Sequence, residues 1–297
     1  MIEQIFSITA PVFLLAGAGY VWARSGAPFD LEFVTRMSLS FAVPCLIFAT
    51  LARAEIDPQA FRDIVLATLA AYGVATVLLI VLLAPFRLSM RVWLAPTVFG
   101  NTGNVGLPVA LFAYGEPGLA LAMVVFATMA ILSFTIGLYM VAGTGRPMEA
   151  LRQPILYASL LGGAFALMDW DLPGWAMASL SLAGQIGIPL MLLTLGVSIA
   201  RLPWGGIGRA FGISVLKLAA TGGAGVLVAW HFGLTGAALG ALVLQLIMPA
   251  AVTSYLLAAR YDRDPDAVAG LVVASTLLSL LAIPAALALL LGNPALP

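Results

Sequence analysis

Asn101-Thr102-Gly103-Asn104-Val105-Gly106-Leu107-Pro108 interrupts a long apolar stretch, with about ten uncharged residues on either side. Lipid offers no partner to a backbone N–H or C=O. Two glycines, two asparagines and a proline at this depth therefore imply a broken helix, shielded by protein or lining a cavity. A helix that stops inside the membrane presents orphan N–H groups and the positive end of its dipole, and both attract anions. Broken helices of this kind form cargo sites in transporters. A second interruption, the spans around both and the charges near them would decide what the chain can do.

The composition sets the class. Of 297 residues, 62% are hydrophobic and 9% charged, with a mean hydropathy of +1.09, whereas soluble domains carry about 25% charged residues. The chain reads as a polytopic all-α membrane protein. Thirteen basic and thirteen acidic residues balance, which leaves no field for nucleic acid. Cys45 lies in an apolar run and reads as a small buried hydrophobe. The lone His231, beside Trp230, has no second ligand at metal spacing, so neither a metal site nor a cofactor is expected. Glu3 stands where a signal peptide would be positive, and the apolar run continues past Ala16-Gly17-Ala18-Gly19 to Trp22, so the first segment is expected to be a retained span.

Runs of about 20 apolar residues cross a bilayer, and ten are expected. The first covers Ile2 to Trp22, the second Met37 to Leu51, and the third Ile64 to Pro85. The fourth holds the opening motif and ends near Tyr114; after a turn at Glu116-Pro117-Gly118 the fifth extends to Ala142. A polar loop, residues 143–153, divides the chain. The sixth to tenth run from Pro154 to Met168, Trp175 to Ala200, Ile207 to Trp230, Gly236 to Ala259 and Ala267 to Leu291. Arg24, Arg36, Arg87, Arg91, Arg146, Arg152, Arg201, Arg209, Arg260 and Arg263 flank the odd-numbered loops, against Arg53 and Arg62 elsewhere. The positive-inside bias makes those loops cytoplasmic and puts both termini outside. Trp22, Trp93, Trp170, Trp175, Trp204 and Trp230 fall at span ends, as an interfacial belt would require.

The halves echo one another. Ala42-Val43-Pro44-Cys45-Leu46-Ile47 matches Gly187-Ile188-Pro189-Leu190-Met191-Leu192, and Val124-Val125-Phe126-Ala127-Thr128 matches Val272-Val273-Ala274-Ser275-Thr276. Asn104-x-x-x-Pro108 is answered by Gln245-x-x-x-Pro249. The offsets fall between 141 and 148 residues, and five spans per half is odd, so the second repeat must be inverted. The expected organisation is one inverted repeat over 1–142, a cytoplasmic linker over 143–153 and a second repeat over 154–297. Gly103, Gly106, Pro108 and Pro249 are the expected crossover and hinge positions.

The amides of Asn101, Asn104 and Gln245 each donate and accept hydrogen bonds, and beside two helix ends they suit a carboxylate. The alternative is that they only repair the backbone around the prolines. Thr253 and Ser254 follow the second break as further candidates, or else bond to their own helix. Lys217, the only lysine, lies well inside span eight. It either faces the site or an access path, or snorkels to the cytoplasmic interface. Glu55, Asp57 and Asp63 share one short outer loop with Arg53 and Arg62, and no carboxylate is placed at mid-membrane, so a relay of buried acids is unsupported. A sodium site of carbonyls and amides at the breaks stays open. Pro44 and Pro189 read as kinks or as parts of the wall facing the site.

The opening motif, with Gln245-Leu246-Ile247-Met248-Pro249 and Ala259-Arg260-Tyr261, resembles the auxin efflux carrier family of membrane transporters in a bacterial form, across essentially the whole chain. The resemblance implies a fold like that of the bile acid sodium symporters, with crossover helices four and nine, a scaffold of spans one, two, six and seven, and a moving domain from spans three to five and eight to ten. It also implies elevator-type alternating access, a homodimer, and weak-acid or dicarboxylate cargo such as auxin, malonate or malate. Carried over by position, Asn104 would bind the carboxylate, Gln245 would hold the corresponding place, and Lys217 would occupy a basic position. The sequence shows no aromatic-recognition pattern, which argues against auxin itself. The expected function is secondary transport of a small organic anion in a bacterial inner membrane, by efflux or facilitated diffusion. The rivals are a sodium- or proton-coupled carboxylate importer and a non-transporting ligand sensor. One cysteine, one histidine and no buried carboxylate argue against an enzyme.

Overall fold

Apolar runs in lipid must close their own backbone hydrogen bonds, and helices do so within one segment. The computed structural model describes residues 1–54, 57–143, 151–168, 170–203 and 206–292, and helix dominates them. In order these are α1 (Ile2–Arg24), α2 (Leu31–Met37), a π turn over Ser38–Ala42, α3 (Val43–Ala52) and α4 (Pro58–Leu83). Next come α5 (Met90–Val98), a π turn over Thr102–Gly106, α6 (Leu107–Leu132), a π turn over Ser133–Gly137 and α7 (Leu138–Ala142). The second half holds α8 (Pro154–Met168), α9 (Gly174–Gln185), α10 (Gly187–Arg201), α11 (Ile207–His231), α12 (Gly236–Ile247), α13 (Val252–Arg260) and α14 (Pro265–Gly292). Among the described residues the only β-type pairing is one isolated bridge. Glu55, Arg146, Trp204 and most of the 143–153 linker lie outside the described residues.

Among the described residues seven helical stretches are long and apolar enough to cross a membrane, and α8 and α12 are shorter apolar helices. This is a multi-pass membrane protein. The stretch Thr102–Ala142 contains 41 residues, which at 1.5 Å per residue is about twice the 30 Å hydrocarbon core. It does not run as one rod. Gly115 takes φ 66 and ψ −159, a geometry open to glycine and costly for other residues, so the chain leaves the helix just before Glu116-Pro117.

Two of the three π turns have a local cause. Pro44 and Pro108 each stand two residues after one, at the second position of α3 and α6. Proline has no N–H for the carbonyl four residues back and its ring crowds that carbonyl, so the preceding turn widens. The turn at Ser133–Gly137 has no such proline.

The densest packing falls in two sets, joined where α1 touches α6 and α14 and where α3 and α8 touch α6. α1 runs along α10, and α3 lies against α8 and α9. Separately, α11 packs on α4, α12 and α14, while α6 packs on α4 and α12. Of the tryptophans expected at the interface, Trp22, Trp170, Trp175 and Trp230 are exposed, but Trp93 is buried. Its helix α5 is enclosed from Trp93 to Val98, so Trp93 packs as core rather than as a lipid-facing anchor.

Candidate functional site

Two interruptions meet inside the molecule. α5 ends at Val98 and Phe99 is extended (φ −95, ψ 109), after which Asn101 (φ −81, ψ 57) precedes the π turn. α12 ends at Ile247, and Met248 (φ −55, ψ 145) and Ala251 (φ −73, ψ 140) are extended ahead of α13. The extended pieces run antiparallel and bridge Gly100 to Ala250, with Asn101 N–H donating to Pro249 O at 2.6 Å. A Cβ on Gly100 would sit 2.9 Å from Met248 O, so only glycine allows this approach. Ala250 N–H donates to Ser275 Oγ at 2.9 Å, and that hydroxyl donates to Val272 O at 3.2 Å. Backbone groups freed by the breaks thus pair with each other and with α14, as burial requires.

A cavity of about 920 Å³ reaches this crossing. Its inner wall carries Asn101 to Asn104 and Ala251 to Ser254, the N-terminal ends of two helical segments. Its sides include Phe99, Phe126, Met129, Phe134 and Met191. Asp30, Glu32, Arg36 and Arg201 line it too, the first three on α2 and its N-cap and the last at the end of α10. Arg36 pairs with Glu32 at 3.0 Å, and Arg201 donates to Phe29 O at 2.8 Å. All three π turns contribute to the walls, through Ser38, Thr102 and Ser133 among others.

Asn101 is only 6% exposed. Its Oδ1 accepts from Asn104 N–H at 3.3 Å, capping the turn, while its Nδ2 and the Thr102 hydroxyl are buried without partners. An unpaired buried donor costs about 1–3 kcal/mol, a cost that an acceptor in the cavity would relieve. Asn104 lines the cavity and is half-buried.

Of the residues predicted for the site, Asn101, Asn104, Thr253 and Ser254 lie together on the cavity wall with Gly103. Gln245 does not line it. That side chain is wholly buried, and its Nε2 donates to Ala122 O at 3.2 Å. It also fills the space that a side chain on Gly106 would need. Lys217 is also away from the wall, buried in α11 with no partner for its Nζ. Pro108 and Pro249 shape the breaks without facing the cavity, and Pro44 and Pro189 open α3 and α10 without lining it; Leu39 and Met191 from the same segments do. Among the described residues no group of three or more His, Cys, Asp or Glu could hold a metal.

Sequence reasoning missed Thr102, Ser275 and the apolar side walls. Ser275 left a trace, since it lies in the repeated Val272-Val273-Ala274-Ser275-Thr276 segment. The walls left none, because Phe and Met within spans look like any other core residues.

The sequence profile of the family described as "Membrane transport protein" matches residues 4–151 and 146–287. The chain belongs to this family, the auxin efflux carriers. This carrier is 29% identical to a protein named "Uncharacterized transporter" from Methanothermobacter thermautotrophicus, over 95% of its own length and 96% of the relative's. A second uncharacterized transporter, from Methanocaldococcus jannaschii, is 28% identical over 63% of the carrier and 64% of the relative. Family and relatives indicate a membrane transporter rather than an enzyme.

Proposed function

We propose that this carrier is a secondary transporter of a small organic anion, holding a carboxylate where the two breaks cross. The observation that carries the reading is the pair of unpaired buried donors, Asn101 Nδ2 and Thr102 Oγ1, on the wall of a cavity where two helix N-termini converge. Donors without acceptors, at the positive ends of two helix dipoles, select an anionic acceptor. Asn104, Thr253 and Ser254 complete the polar wall, while Gln245 and Lys217 act from behind it.

The topology we propose is ten spans in two inverted five-helix repeats, 1–142 and 154–297. It is supported by the Gly115 break, which divides the 41-residue stretch into two spans, and by the interrupted pairs α5–α6 and α12–α13. The dense packing of α1 on α10 and of α3 on α8 and α9, beside that of α11 on α4, α12 and α14, supports a scaffold and a moving domain, and hence elevator-type access. The Arg-rich loops make the cavity mouth cytoplasmic and both termini periplasmic, in a bacterial inner membrane. The carrier works as a homodimer, by efflux or facilitated diffusion, since an inside-negative potential favours anion export by about 2.3 kcal/mol per charge per 100 mV.

Thermal melts of purified protein with malonate, malate, succinate or indole-3-acetate, with and without sodium, test the site. A ligand bound only by the folded state raises the melting temperature. Stabilisation by at least one acid is expected, and it should be lost in Asn101→Ala. Equal responses from wild type and variant, or no response to any acid, would remove the carboxylate from the crossing.

A further inference from the structure

Lys217 is the only charged side chain buried among the described residues, at 2% exposure, and its Nζ has no partner. It is the eleventh of 25 residues in α11, about 15 Å from the helix start and so near the middle of a 30 Å core. Gly222, five residues on, meets Ile247, the last residue of α12 before the second break: a Cβ there would lie 3.2 Å from Ile247 Cγ2. The Lys217 backbone therefore lies about 8 Å along α11 from the level of Ile247, on a helix packed against the break-bearing α12.

The surroundings supply no counter-charge. The charged or titratable groups of the helices packed on α11 are Arg62, Asp63 and Tyr72 on α4, Arg91 on α5 and Asp266 on α14, with none on α12. Arg209 and His231 lie near the two ends of α11 itself. Arg62, Arg91, Asp266, Arg209 and His231 are exposed, Asp63 pairs with Arg62, and Tyr72 is a buried phenol without charge to offer. An intramembrane cation without an anion is costly and marks a functional position.

We infer that Lys217 is the carrier's built-in counter-ion. On the reading of a carboxylate at the crossing, its single positive charge balances a single bound carboxylate within the moving domain. The domain loaded with a monoanion then crosses the membrane field with no net charge, and no sodium ion is required. The empty domain returns carrying the lysine's charge, which makes that half-cycle the voltage-sensitive one.

Exchange isolates the loaded half-cycle. Proteoliposomes holding unlabelled acid would take up labelled indole-3-acetate or labelled malonate at membrane potentials of 0 and −100 mV, set with potassium and valinomycin in sodium-free buffer. For wild type, exchange of the monoanion is expected to be flat with voltage, and exchange of the dianion to be steep. In Lys217→Met the monoanion becomes steep, approaching the roughly 50-fold bias that one charge experiences at 100 mV; Lys217→Arg stays flat. Wild-type monoanion exchange that is steep or sodium-dependent would overturn the counter-ion, as would a Lys217→Met variant as flat as wild type. If Lys217→Met fails to fold, the wild-type contrast of monoanion with dianion decides alone when both acids exchange. With one acid, its wild-type slope decides: flat for the monoanion or steep for the dianion supports the counter-ion, and the reverse overturns it. If neither acid stabilises the protein or exchanges, the carboxylate reading itself fails and the counter-ion falls with it.

Discussion

At the first interruption Asn101 and Thr102 stand on the cavity wall with donors unpaired. At the second, Met248-Pro249-Ala250-Ala251 has no polar side chain, and its polar neighbour Gln245 is buried against Gly106 and Ala122. Both breaks bring a helix N-terminus to the cavity, but only the first brings side-chain donors that are buried there without partners, whereas Thr253 and Ser254 at the second are more open. The second is secured by Ser275 on Ala250 N–H. The amides of the two similarly spaced motifs, Asn104-x-x-x-Pro108 and Gln245-x-x-x-Pro249, have thus taken unlike tasks: Asn104 lines the cavity, whereas Gln245 braces the turn at Gly106.

That contrast can be broken experimentally, and the largest effect should come from the brace. Gly106→Val places a branched side chain where Gln245 sits. Overpacking costs about 1–3 kcal/mol and occasionally more, and with the clash this close, loss of monodisperse protein on size-exclusion chromatography is the expected outcome. Gly106→Ala should be milder and be partly rescued by Gln245→Ala; absence of rescue would show that the two do not compete for space.

Asn101→Ala comes next, acting mainly on binding. Loss of a hydrogen bond to a charged ligand, about 1.5–3 kcal/mol, predicts a 10- to 100-fold weaker acid affinity by titration calorimetry. Loss of the cap on Asn104 lowers apo stability by only about 1 kcal/mol.

Ser275→Ala should show the reverse balance. It leaves Ala250 N–H buried and unpaired, a cost of about 1–3 kcal/mol, so the apo melting temperature falls while affinity changes by less than in Asn101→Ala. If affinity fell further than in Asn101→Ala, the second break would be a binding element rather than a frame.

The smallest effect is expected from Thr102→Val, nearly isosteric with the wild type. Its hydroxyl has no protein partner, so apo stability should hold or rise slightly. Acid affinity should drop by about 1.5 kcal/mol, the low end for one hydrogen bond to a charged acceptor.

The positions of both breaks were legible because prolines, glycines and amides are conspicuous in apolar surroundings. The turn near Glu116 was legible for the same reason, although the left-handed residue proved to be Gly115. The directions of the side chains were not. Gln245 reads as well for a site as Asn104 does, and Trp93 reads as well for a membrane belt as Trp22 does. Each choice depends on which neighbouring helix covers that face, and spans that are apolar all round carry no stripe to announce it.

Membrane residence, the places where helices must stop and the arginine asymmetry are settled by the sequence itself, because lipid penalises every unpaired backbone group and every misplaced charge regardless of the neighbours. Tertiary structure alone decided that Gly100 and Ala250 would meet, that Gln245 would be spent inside the protein and Thr102 left free, and that Lys217 would be enclosed rather than reach water. Those outcomes depend on packing between separate segments, more than a hundred residues apart for Gly100 with Ala250 and Gln245 with Gly106, and no local pattern encodes them.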